Sequence, residues 1–103
     1  MFHGQEQSAV ESFELALEQE AGQFQLYHYL GWAHSELKNW QKSIVTYQKS
    51  LKLNPNNAEV LYSLGAAHFE LGDWQATVEA ANRALALIPD HARALNLLGR
   101  AKI

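Results

Sequence analysis

The sequence predicts an all-α protein built as a helical repeat, and three observations carry that prediction. The eleven residues LGWAHSELKNW, Leu30 to Trp40, return 34 residues later as LGAAHFELGDW, Leu64 to Trp74, with seven positions identical. Apolar residues recur at spacings of three and four, the period of a helix with one buried face. No segment alternates polar and apolar residues as a strand does.

The same offset holds Gly31, Gly65 and Gly99 in register, together with Leu30, Leu64 and Leu98, His34 and His68, Trp40 and Trp74, and Pro55 and Pro89. Self-similarity at such a period marks a stack of supersecondary units. In this frame six helices are expected, over about 6–20, 24–37, 40–53, 58–71, 74–87 and 92–102. The first carries Ala9, Phe13, Ala16 and Leu17 on one face. Leu26, Tyr27, Leu30, Ala33, His34 and Leu37 define the second, and Trp40, Ile44, Tyr47, Leu51 and Leu53 the third. Lys38-Asn39 separates these two and is matched by Gly72-Asp73. Asn39 and Asp73 suit the N-cap, where a side-chain oxygen accepts an unpaired helix N–H. Gly72 suits the left-handed conformation that ends a helix. Asn54-Pro55-Asn56-Asn57 and Ile88-Pro89-Asp90 stop the second helix of each unit and start the next. Short connections make neighbouring helices antiparallel hairpins. No hairpin buries its stripe alone, so hairpins stack on a shared core. Trp40 and Trp74, repeated in register, are expected in that core, locking the start of their helices. Gly31 and Gly65 are expected where a partner helix comes too close for a Cβ.

Composition narrows the function classes. With 48% hydrophobic and 18% charged residues the chain is globular. A net charge of -3 lends no support to a nucleic-acid or acidic-membrane partner. Absence of cysteine excludes disulfides and thiolate metal sites. No apolar run approaches the roughly 20 residues of a membrane span. The opening MFHGQEQSAVE lacks the basic region and apolar core of a secretory signal, so a cytoplasmic location is expected.

The repeat resembles the tetratricopeptide repeat, whose 34-residue motif has a bulky residue, Leu-Gly, an aromatic, then small residues, an aromatic and Pro. Tyr27, Leu30, Gly31, Trp40, Tyr47, Leu51 and Pro55 carry the likeness in 24–57, and Leu61, Leu64, Gly65, Gly72, Asp73, Trp74, Ala84, Leu85 and Pro89 carry it in 58–91. The resemblance implies one domain over 1–103: the second helix of a partial repeat in 1–23, two full repeats, and a first or capping helix in 92–103. It also implies a right-handed solenoid of helix hairpins. The chain departs from the motif at several places. His34 and His68 stand for Tyr, Ser43, Thr77 and Ser50 for Ala, and Ala81 for an aromatic, while Ala21-Gly22 replaces the helix-ending Pro. Somewhat looser packing than in an ideal repeat is expected from these.

In such a solenoid the first helix of each hairpin lines a concave groove that takes an extended peptide or a partner helix. The resemblance therefore assigns a groove to Gln25, His28, Tyr29, Trp32 and Glu36, then Glu59, Tyr62, Ser63, Ala66, Phe69 and Glu70, then Arg93, Asn96, Leu97 and Arg100. Tyr, Trp and Arg dominate binding hot spots. Trp32 stands out because Ala66 and Arg100 hold its equivalent places, so the scaffold does not require an aromatic there. A family subset grips the free carboxylate of chaperone tails with Lys, Asn and Arg. Here those positions hold His28, Trp32, Ser63, Arg93 and Leu97, and only Arg93 fits. A protein or peptide partner of apolar or aromatic character is expected rather than a carboxylate-clamp ligand.

Chemistry finds little foothold. His3, His28, His34, His68 and His91 do not share the i,i+4 spacing of a helical metal site, and no Asp or Glu completes a three-ligand set. Ser12, Ser35, Ser43, Ser50 and Ser63 lie in helical patterns without a Gly-flanked turn to expose a nucleophile. No catalysis, metal or cofactor is expected. The competing reading is self-association into homo-oligomers: RALNLLGRAKI keeps Leu95, Leu97, Leu98 and Ile103, some of them without a covering helix.

Overall fold

The computed structural model describes residues 24–102, and every regular element among them is a helix. They are α1 (Phe24–Glu36), α2 (Trp40–Leu53), α3 (Ala58–Glu70), α4 (Trp74–Leu87) and α5 (Ala92–Ala101). α2 and α4 match the expected spans to the residue, and the others end one residue early. The helix expected over 6–20, His3 and Ile103 lie outside the described residues. The chain divides between Pro55 and Asn56 into two units, one holding α1 and α2, the other α3, α4 and α5.

In the first unit α1 packs on α2 across Gly31. A Cβ built on Gly31 would stand 2.6 Å from the Tyr47 ring, so glycine is what lets the ring lie flat on the backbone of α1. Tyr47 is 2% exposed, with its hydroxyl 3.3 Å from Ser35 Oγ. Ser43 donates to the Gly31 carbonyl at 3.0 Å, and Ser50 to the Phe24 carbonyl at 2.9 Å. Looser packing is therefore not what these replacements bring. Ser43, Ser50 and Thr77 are fully buried, and each hydroxyl satisfies a backbone carbonyl, Thr77 that of Asp73.

The second unit solves the same problem with another helix. Ala81 holds the place of Tyr47 and leaves a gap over Gly65. Leu97 of α5 fills it: a Cβ on Gly65 would meet Leu97 Cδ2 at 3.1 Å and the Ala80 Cβ at 3.2 Å. Leu97, assigned by the sequence to the groove, is only 4% exposed and belongs to the core with Leu61, Leu64, Ala67, Ala84 and Ala94. Gly99, though in register, has open space where a Cβ would go.

Both hairpins turn by the same device. Asn39 and Asp73 donate their N–H groups to the carbonyls of His34 and His68, and the residue before each is left-handed, Lys38 at φ 61° and Gly72 at φ 79°. Asp73 also caps α4 through its side chain, accepting from Ala76 N. Asn39 makes no side-chain cap bond, although its backbone angles resemble those of Asp73. The left-handed region costs a residue with a Cβ about 1–2 kcal/mol. Lys38→Gly is thus expected to raise stability by up to about 1 kcal/mol, after the extra freedom glycine gives the unfolded chain. A denaturant midpoint that falls would contradict this.

The tryptophans at the hairpin tips correct the sequence reading. Trp40 is only half-buried and Trp74 is 51% exposed, so neither is a core residue. Each is the first residue of its helix, at the tip of the hairpin. Trp74 lies edge-on to Phe69, ring centroids 5.2 Å apart, covering that ring rather than being covered.

Candidate peptide-binding surface

The residues assigned to the surface fall into two groups, one on each unit. In the first, Gln25, Tyr29 and Trp32 project from α1 on the side away from the Leu30–Ala33–His34 stripe. Tyr29 is 54% and Trp32 52% exposed. His28 is half-buried between them and the core, its ring parallel to that of Tyr29 at 5.9 Å and edge-on to Tyr47 at 6.1 Å.

On the second unit the assigned residues form two clusters. Near the start of α3, Tyr62 stacks on His91 at 5.8 Å and carries the Arg93 guanidinium 5.1 Å above its ring. Glu59 ties this cluster together, accepting from Arg93 at 2.6 Å and pairing with His91 Nε2 at 3.1 Å. Near the end of α3, Arg100 lies 4.6 Å over the Phe69 ring, with Trp74 on that ring's edge. Ser63 is half-buried and Asn96 exposed, and neither joins a cluster.

Two members of this surface escape the sequence reading, His91, which stands there only among the histidines, and Trp74, which it sends to the core; Glu59 it places on the groove face without a role. Repeat arithmetic holds the signal for the roles of Glu59 and His91. Glu59 and Arg93 are 34 residues apart, so opposite charges occupy one repeat position. His91 falls with Asn57, and both are N-caps: Asn57 accepts from Glu59 N and Val60 N, His91 through Nδ1 from Ala94 N.

His34 and His68 serve the scaffold. His34 is buried, and His68 is half-buried with Nδ1 3.8 Å from an Asp73 carboxylate oxygen. Among the described residues no group of three His, Cys, Asp or Glu could hold a metal, and no helix is long and apolar enough to cross a membrane. Among the described residues, shallow hollows also open between α1 and α2. One of about 340 Å³ is lined by Leu30, His34, Gln41, Lys42, Val45, Thr46 and Lys49. Another, about 280 Å³, is lined by Tyr27, Lys49, Lys52 and Leu53. Neither contains an assigned residue.

Two family models match, one described as TPR repeat over residues 33–72 and one as tetratricopeptide repeat over 58–101. The chain belongs to the tetratricopeptide repeat family. Tetratricopeptide repeat domains are protein-interaction scaffolds, and the solved structures similar to this one agree in fold. The crystal structure of MamA superposes with a TM-score of 0.90 at 25% identity over 93% of this chain, which spans 56% of MamA. The first repeat domain of Spaghetti (RPAP3), bound to the HSP90 peptide SRMEEVD, gives 0.92 at 20% identity, with 96% of this chain and 79% of that one covered. The Arabidopsis OM64 domain gives 0.91 at 21% identity over 96% of this chain and 82% of its own. Among curated proteins none matches the sequence.

Proposed function

We propose that this tetratricopeptide repeat chain is a non-catalytic binding module that holds a peptide or partner helix on the exposed side chains of the first helix of each hairpin. Gln25, His28, Tyr29 and Trp32 serve on α1, Tyr62, Ser63 and Phe69 on α3, and Arg93, Asn96 and Arg100 on α5. The partner is apolar or aromatic in character. The observation that carries this is Trp32. It is 52% exposed, it fills no core space, and no equivalent aromatic stands at Ala66 or Arg100. An indole that the scaffold neither buries nor repeats is free to serve as an aromatic anchor for another chain, the residue type that dominates binding hot spots.

A peptide-array screen followed by titration of Trp32→Ala and Tyr62→Ala tests the reading. Trp32→Ala is expected to weaken a confirmed ligand at least about tenfold, near 1.4 kcal/mol or more, with the melting temperature unchanged. Full affinity in both variants would refute it. Self-association is the second reading, favoured by Leu95 on α5, which is exposed. Light scattering across a concentration series separates the two, since a monomer at high concentration removes self-association.

A further inference from the structure

Glu59 stands in the first turn of α3 and Arg93 in the first turn of α5. Both oxygens of the Glu59 carboxylate are engaged: Oε1 accepts from Arg93 at 2.6 Å, and Oε2 lies 3.1 Å from His91 Nε2. The tautomer follows from the cap. Nδ1 of His91 accepts the Ala94 N–H at 3.1 Å, so the neutral ring carries its proton on Nε2 and donates it to Glu59. His91 is 8% exposed, so that N–H points from a buried ring at a fixed place. Tyr62 supplies the floor, stacked on His91 and lying under Arg93. A guanidinium and a buried imidazole N–H are groups that recognise a carboxylate, and the Tyr62 face beneath them holds the guanidinium in place.

We propose that Tyr62, His91 and Arg93 form a carboxylate receptor which the chain fills with its own Glu59, and that Glu59 thereby denies partners presenting a free carboxylate any advantage in binding. The inference rests on the reading that a peptide docks on these first-helix residues. An incoming carboxylate would have to displace Glu59, trading one set of charge-assisted bonds for an equal set. The exchange gains nothing, although the ion pair itself, being exposed, is individually weak. Glu59 is also tethered, so it competes at an effective concentration in the millimolar range or above. Glutamine at 59 keeps a carbonyl oxygen for the His91 N–H but gives up the charge that occupies Arg93.

The probe is the peptide SRMEEVD, which the RPAP3 domain binds, compared with the same peptide amidated at its C-terminus. Isothermal titration on the full chain reads the affinity ratio of free acid to amide. A ratio near one is expected for the wild type, about tenfold or more for Glu59→Gln, and near one again for Glu59→Gln with Arg93→Gln. Arg93→Gln alone is expected to keep that ratio near one. Circular dichroism melts of all variants check that folding is retained. A tenfold ratio in the wild type would overturn the proposal, because Glu59 would not be blocking. A ratio near one in folded Glu59→Gln, or no binding of either peptide to it, would overturn it equally. The Trp32→Ala titration reads the docking surface on the other unit, so failure there is distinguishable from failure at Arg93.

Discussion

Replacing Tyr47 with alanine is expected to destabilise the protein by about 3–5 kcal/mol, the range for truncating a large buried aromatic. The ring is 2% exposed and lies against the backbone of Gly31, so its removal leaves a cavity between α1 and α2. Its hydroxyl adds a longer bond to Ser35 Oγ at 3.3 Å. Tyr47→Phe keeps the ring and loses the hydroxyl, and should cost far less, about 1 kcal/mol. For a domain of about this size each kilocalorie lowers the melting temperature by roughly 4–8 °C. The alanine variant is therefore expected to melt at least about 12 °C lower, and on a marginally stable domain it will approach unfolding at ambient temperature. Thermal melts of the two variants side by side check this. A Tyr47→Ala melt within a few degrees of wild type would mean that α1 and α2 do not depend on the packing described.

Gly65→Leu is the second large effect, expected at about 3 kcal/mol or more. The Cβ alone would sit 3.1 Å from Leu97 Cδ2 and 3.2 Å from the Ala80 Cβ. Ala80 has no rotamer with which to retreat, and Leu97 is itself part of the core. Three further carbons have nowhere to go without parting α3 from α4 and α5. The alanine series separates this clash from helix propensity, since glycine costs a helix about 1 kcal/mol relative to alanine. Gly99→Ala, with open space, should gain up to that amount. Gly65→Ala should fall near neutral, and Gly31→Ala should lose, because its Cβ would stand 2.6 Å from an aromatic ring. Chemical denaturation gives the order. Equal effects at all three glycines would contradict the close approaches at Gly31 and Gly65.

The 34-residue offset made the helices legible because helix ends are marked locally. Gly72, Asp73, Pro55 and Pro89 each act within a few residues of where they stand, so α2 and α4 are bounded correctly from the sequence. What the offset hides is how the two units differ. Tyr47 and Ala81 occupy one repeat position, yet the volume missing at Ala81 comes back from Leu97, on another helix. A reading of repeat positions alone therefore sends Leu97 to the surface. Trp40 and Trp74 mislead in the opposite direction. Repetition in register signals a shared structural role, and at a helix start that role is to cover a hairpin tip, not to fill a core. The exposure of Trp32 and Tyr29 was legible from the helical face they share with Gln25. The Glu59 cluster was half legible: the charge alternation is in the sequence, but the His91 tautomer that orients it depends on a cap only the fold creates.

Nuclear magnetic resonance mapping of a ligand taken from the array screen tests the central claim most directly. With backbone and side-chain signals assigned, the account predicts that ligand-induced shifts gather at Tyr29 and Trp32 on α1, at Tyr62 and Phe69 on α3, and at Arg93 and Arg100 on α5. Shifts confined to Lys42, Val45, Lys49 and Lys52 on α2, with the indole of Trp32 unmoved, would contradict it.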